Sequence, residues 1–297
     1  MRLSSFKFVF TTLILCCQLA DAYSQNWVSG YNYRRKISIN KSKVTPTVII
    51  YGQGNTEKLD LVNFPVMIEV NSDDLIHVPG SCGNKIQNIE GKDVTFTLEG
   101  SSTPLSFQLD YYNAATGKLI CWVKVPTLSA DGSSTTATSL HFYYGSAKLH
   151  NPYNAENLNT WSTDYKRIWH MNLDASPATT KNVKLVASEH NLQGGTTVDS
   201  TNYVDGKIGK AVVLNGSTDS FRSDAENSTA ITISAWVKLN SIGTEQIILT
   251  NDSIKMVNNI AQTDGYKLKI NASGQPVLEL YRSGSLYSLQ ASSDLSS

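Results

Sequence analysis

An all-β fold in two strand-rich units is predicted for this chain by three observations. Apolar residues recur at every second position in run after run, turn residues punctuate those runs at short intervals, and no helical period of useful length interrupts them. The cleanest alternation is Ile231, Ile233, Ala235, Val237 and Leu239, with Thr232, Ser234, Trp236 and Lys238 between them. Composition agrees: only 17% of the 297 residues are charged, and Tyr reaches 14. That balance fits an extracellular β-rich protein better than a helical cytoplasmic one. Lys plus Arg and Asp plus Glu are both 25, so formal net charge is zero and no basic excess points to a nucleic-acid partner.

The length suits two domains. The division falls between Leu140 and Met171. Leu140, Phe142 and Tyr144 alternate with His141 and Tyr143, and Gly145-Ser146 ends the run. A polar connector, Ala147–Thr163, carries Asn151-Pro152. Ile168-Trp169-His170-Met171 then opens a second apolar pattern. The expected organisation is a β-sandwich over residues 23–152, a linker over 153–164 and a second unit over 165–297.

Residues 1–22 read as a signal peptide. Arg2 and Lys7 give a positive start, Phe8–Cys17 an apolar run, and Ala20-Asp21-Ala22 a small-x-small cleavage site. The run is too short to span a bilayer, and no later stretch reaches about eighteen consecutive apolar residues, so no transmembrane span is predicted. Leu15 stands before Cys16, where a lipoprotein signal needs a small residue. The expected location is secreted or cell-surface, with the chain starting at Tyr23. The mass of the secreted protein checks this, and an intact Met1 or a lipid on Cys16 or Cys17 contradicts it. Cleavage leaves Cys82 and Cys121. In an oxidising compartment such a pair is a candidate disulfide. The alternative is that Cys121, sharing a strand face with Val123 and Val125, is a small core residue.

In the first unit the alternation predicts strands over Arg35–Asn40, Thr47–Tyr51, Val66–Val70, Val94–Leu98, Leu105–Leu109, Cys121–Val125 and Leu140–Tyr144. About seven strands with turns at Pro79-Gly80, Glu90-Gly91, Glu99-Gly100, Thr116-Gly117 and Asp131-Gly132 have the count and spacing of a β-sandwich. Trp122 reads as a packed residue before a sugar-stacking platform. Tyr111-Tyr112 and Tyr143-Tyr144 leave the same two readings open, and Arg34-Arg35-Lys36 reads as a solvated strand edge.

Several segments of this unit, in order, resemble a bacterial, typically secreted domain of unknown function. They are Trp27 with Tyr33-Arg34, Asn63-Phe64-Pro65-Val66, Gly91-Lys92-Asp93-Val94-Thr95-Phe96, Trp122-Val123-Lys124-Val125-Pro126 and Tyr143-Tyr144-Gly145. The resemblance implies a fold and a frequent neighbour, a laminin-G-like jelly roll, and no chemistry. Cys82 lies outside the pattern.

The second unit is similar to the concanavalin A-like lectin/glucanase superfamily in its laminin-G-like form. The matching residues are Ile168-Trp169-His170-Met171, Gly206-Lys207-Ile208-Gly209-Lys210-Ala211, Leu214-Asn215-Gly216-Ser217 and Ile231–Lys238. A Trp-His-His-Val-Ala type strand and a later Val-Asp-Gly turn, usual in such domains, do not occur, so an incomplete jelly roll is expected. The resemblance also implies calcium as the cofactor to test, held by loop oxygens. The candidate ligands are Asp174 and Asp219, with Asn182 and Asp252 beside them. Further strands are expected at Ala211–Leu214, Gln246–Thr250, Tyr266–Ile270, Val277–Tyr281 and Leu286–Leu289.

Hydrolases of this superfamily present two acids from one strand as Glu-x-Asp-x-x-Glu or Glu-x-Asp-x-Glu, because alternation aims both into one cleft. No such run occurs; Glu90-Gly91-Lys92-Asp93 has the wrong spacing and contains a turn residue. No Gly-x-Ser-x-Gly elbow or His-Glu-x-x-His motif occurs either. His77, His141, His150, His170 and His190 lack metal-ligand spacing, and His170 is expected to be structural with a satisfied ring hydrogen bond. No catalytic residue is therefore named. The expected function is a secreted, non-catalytic surface or extracellular module binding glycan, a polysaccharide or another surface polymer. The alternatives are a structural or adhesive spacer and a fragment of a carbohydrate-active enzyme.

Overall fold

The structure is a computed structural model. It describes residues 26–45, 48–49, 56–57, 59–133, 135–149, 159–171, 179–180, 192–194, 198–222, 230–251, 253–257 and 260–295. The expected signal peptide lies outside the described residues. Among the described residues no helix is long and apolar enough to cross a membrane.

The protein is all-β. The first unit contains β1 (Tyr31–Ser38), β2 (Val48–Ile49), β3 (Thr56–Glu57), β4 (Leu61–Asn71), β5 (Val94–Leu98), β6 (Phe107–Asn113), β7 (Lys118–Leu128) and β8 (Ser139–Ser146). Two antiparallel sheets, β1-β8-β5 and β4-β7-β6, face each other, and β2 pairs β3 in a small ribbon. Alternation builds the core between the sheets. Val94, Phe96, Leu140, Phe142 and Tyr144 point in from one sheet, and Ile68, Phe107, Leu119, Cys121, Val123 and Val125 from the other. Phe96 packs edge-on to Phe107 at 5.2 Å between ring centroids. β4 is longer than its alternation suggests and includes Pro65. That is tolerated because β4 is the edge strand, where a missing N–H breaks no ladder.

Two carboxylates hold the loops onto this sandwich. Asp93 is fully buried and accepts from the backbone N–H groups of Gln87 (2.6 Å), Asn88 (3.1 Å) and Ser146 (3.3 Å). Asp74 accepts from Lys85 (2.7 Å), Tyr144 (3.0 Å) and Arg35 (2.5 Å), tying β1 and β8 to the 3-10 turn Asp73–Leu75. The Lys85 ammonium, with Tyr144 and Arg35, holds the Asp74 carboxyl down at about 2. A carboxyl lowered in the folded state stabilises it above the unfolded value of 3.8, and the contribution is lost as pH falls through about 2. The full shift corresponds to about 2 kcal/mol; screening of the half-exposed Arg35 and Lys85 reduces it to about 1 kcal/mol. Asp74→Asn is therefore expected to lower the melting temperature near neutral pH, with the gap from wild type closing as pH falls through about 2.

The second unit contains β9 (Thr179–Thr180), β10 (Leu192–Gly194), β11 (Tyr203–Asp205), β12 (Lys210–Val212), β13 (Phe221–Arg222), β14 (Gln246–Thr250), β15 (Ser253–Val257), β16 (Ile260–Ile270), β17 (Pro276–Arg282) and β18 (Ser285–Gln290). β11 and β12 form a hairpin, and β13-β10-β9 a short sheet. The largest sheet runs β14-β16-β17-β18, with β15 also paired to β16. Its register sorts side chains by face. Tyr266, Leu280 and Tyr287 align, as do Leu268, Leu278 and Leu289, whereas Lys267, Glu279 and Ser288 share the other face. On the polar face Lys269 bridges Glu279 (2.6 Å) and Glu245 (2.8 Å).

Ile231–Leu239, the sharpest alternation in the sequence, forms no strand. Alternation says which side chains seek burial, but a strand also needs a neighbouring backbone to bond. Among the described residues none lies alongside this run in a ladder.

Candidate functional site

The outward face of β4-β7-β6 carries the residues of greatest chemical interest. Trp122 on β7 opposes Cys121 and Val123 in the alternation and so points away from the core. Its register neighbours are Met67 on β4 and Gln108 on β6. Period two from Phe107 and Leu109 puts Gln108 and Asp110 on this same outward face, and the bulge between Leu109 and Tyr111 brings Tyr111 to it as well. The Trp122 indole N–H donates to Asp110 Oδ2 at 2.8 Å.

Residues 159–171 lie over this face. Trp161 packs on Trp122 at 5.0 Å between centroids, and Tyr165 meets Trp161 edge-on at 5.1 Å. The His170 ring stacks on Trp122 at 6.1 Å with an interplanar angle of 20°. Trp161 Nε1 donates to Gln108 Oε1 at 2.8 Å. His170 places Nε2 3.1 Å from the same Gln108 oxygen and Nδ1 3.1 Å from Asp110 Oδ2. The site is dry: Trp161 is 7% exposed, the Asp110 side chain 2% and the His170 side chain 11%. Sequence reasoning found Trp122 and His170 separately. It missed Asp110 and Gln108 as site residues: alternation with Phe107 and Leu109 puts both on the outer face, but it does not show that Trp161 and His170 come to meet them there.

The other residues singled out in the sequence are dispersed. Tyr112 points inward and donates to Leu75 O, while Tyr111 lies under Lys210, whose Nζ is 5.9 Å from the ring centroid. Tyr143 is fully buried on the outer face of β8 and donates to Asn26 O at 2.8 Å. Arg34-Arg35-Lys36 is no free basic run. Arg34 stacks over Trp27 at 4.7 Å, Arg35 pairs with Asp74, and Lys36 pairs with Glu99 at 2.6 Å. His141 is buried on β8, and that burial, followed by the Arg34 charge, holds it below the ordinary imidazole value. Cys82 is an exposed free thiol; Cys121 is a buried one whose burial pushes the thiol well up.

Of the calcium candidates, Asp174, Asn182 and Asp252 lie outside the described residues. Asp219 accepts from Asn215 N (3.0 Å) and Asn202 Nδ2 (3.2 Å), so its described role is to brace a turn. Among the described residues no group of three or more His, Cys, Asp or Glu is placed to hold a metal ion.

The second unit presents a different surface. Trp236 is 73% exposed, with Lys207 Nζ 5.8 Å from its ring centroid. Tyr287 and Leu289 on the edge strand β18 are also exposed.

Comparison with known proteins supports the resemblance of the first unit. Residues 90–183 match a family described as Domain of unknown function (DUF2341), a match that starts at the Gly91-Lys92-Asp93 loop and continues through His170. No curated protein matches the chain. Among solved structures, an S-layer domain-containing protein from Clostridium thermocellum ATCC 27405 is similar at 20% identity with a TM-score of 0.32. The alignment covers 42% of this chain and 54% of that one, so the chain spans about half of that solved chain.

Proposed function

We propose that the chain is a secreted or cell-surface, non-catalytic binding module. The first unit is its carrier, and the second, read as a laminin-G-like jelly roll, meets glycan or another surface polymer. The observation that carries this reading is the contrast between two tryptophans. Trp122 packs beneath Trp161 and His170, whereas Trp236 is 73% exposed with only the Lys207 ammonium over its ring among the described contacts. An open aromatic face with polar groups at its rim suits the apolar side of a sugar ring. The signal-peptide pattern agrees with an extracellular address. The non-catalytic part rests on the missing carboxylate run and on the engagement of two acids on the sheet faces. Asp110 bonds Trp122 and His170, and Glu279 bonds Lys269 and Tyr281.

The test is a panel of polysaccharides incubated with purified protein, with and without calcium. Retention on at least one glycan without reducing-end release is expected. Release that follows the protein through purification overturns the non-catalytic reading. Retention on none, in either condition, favours the second reading, a structural spacer. The dry contacts between the first unit and residues 159–171 give that reading its physical basis.

A further inference from the structure

We infer that residues 159–171 are a latch that fastens the second unit to the first, with the His170 ring as its pin, so that the two units move as one body in solution. This is independent of any ligand.

Trp161 Nε1 is a donor only, so the Gln108 atom it meets at 2.8 Å is the carbonyl oxygen. That oxygen faces His170 Nε2, and Asp110 Oδ2, which already accepts from Trp122 Nε1, faces His170 Nδ1. Both ring nitrogens thus lie within hydrogen-bond reach of side-chain oxygens on β6, and one ring face rests on Trp122, so the ring is held on three sides where little water competes.

Burial gives independent support. Ile120 lies on the same outer face as Trp122 yet is fully buried, as is Thr160 in the covering segment. An outer sheet face of an isolated sandwich would be wet. The β11–β12 hairpin adds a second contact, since Lys210, paired with Asp205 at 2.7 Å, reaches over Tyr111 on β6. Two units joined by a free linker are expected to move relative to one another. Here residues 159–171 are themselves packed on the sandwich, and the family match that begins in the sandwich runs on past them to residue 183.

The test uses the full chain. Cys82 is exposed and Cys121 is buried, so a spin label attaches at Cys82 once Cys16 and Cys17 are changed to serine. A second label goes on Ser288→Cys, on the exposed strand β18. Double electron–electron resonance is expected to give one narrow distance distribution for this protein. His170→Phe, which keeps a ring but donates to neither Asp110 nor Gln108, is expected to broaden it. If that variant lacks a cooperative melt, Trp161→Phe, which loses the N–H to Gln108 and part of the ring while keeping an aromatic face, is read instead and is expected to broaden it to a smaller degree. A broad distribution in the parent, or an unchanged narrow one in the folded variant that is read, overturns the latch.

Discussion

Gly145→Ala is expected to destabilise the first unit by on the order of 3–4 kcal/mol, through a left-handed backbone and an overpacked contact that add. Gly145 sits near the end of β8 with φ +75°, a region that an L side chain occupies at a cost. A Cβ there would stand 2.4 Å from Lys85 O and 2.7 Å from the Tyr33 ring. The backbone oxygen cannot swing aside as a side chain would. Tyr33 is itself stacked on Tyr144 at 5.3 Å, next to the Asp74 cluster. The glycine of the Tyr143-Tyr144-Gly145 motif thus lets the chain leave β8 beneath the 84–91 loop. Denaturant unfolding of the full chain checks this, and a midpoint within error of wild type contradicts it.

Trp122→Ala is expected to lower stability by about 3 kcal/mol or more, damaging folding before any binding. Truncation removes the surface on which Trp161 and His170 stack and leaves the buried Asp110 carboxylate without its indole donor. Trp122→Phe divides the losses differently, because it keeps a smaller aromatic face and removes the N–H bond to Asp110. The expected order of midpoints is wild type, then Phe, then Ala. An unchanged midpoint together with lost ligand retention would make Trp122 a ligand platform instead.

The first sandwich was legible because its core follows period two on both sheets. Cys121, Val123 and Val125 fall on one face in the sequence and are fully buried together. The same alternation put Trp122 on the opposite face, but what covers that face comes from residues 161 and 170, a non-local contact that no local pattern reports. Asp110 alternates with Leu109 and so falls on that same face, but the groups that engage it, Trp122 on the neighbouring strand and His170 in a distant segment, are contacts no local pattern reports. Asp93 belonged to a motif whose acid was weighed for catalysis and set aside on spacing. Its three backbone amide donors come from two separate segments, one preceding it and one at the end of β8. In the second unit the hairpin strands β16, β17 and β18 were legible because their partners are adjacent in sequence. Ile231–Leu239 shows the converse, a pattern without a paired neighbour.

Binding belongs, in the proposed function, to the exposed aromatic surface of the second unit, and Trp122 is structural. Retention of Trp236→Ala on whichever glycan holds the wild type tests that division most directly. The expected result is lost retention with an unchanged melting temperature, since a side chain 73% exposed contributes little to the core. Full retention by Trp236→Ala, with loss instead in a Trp122→Phe protein of wild-type stability, would contradict it.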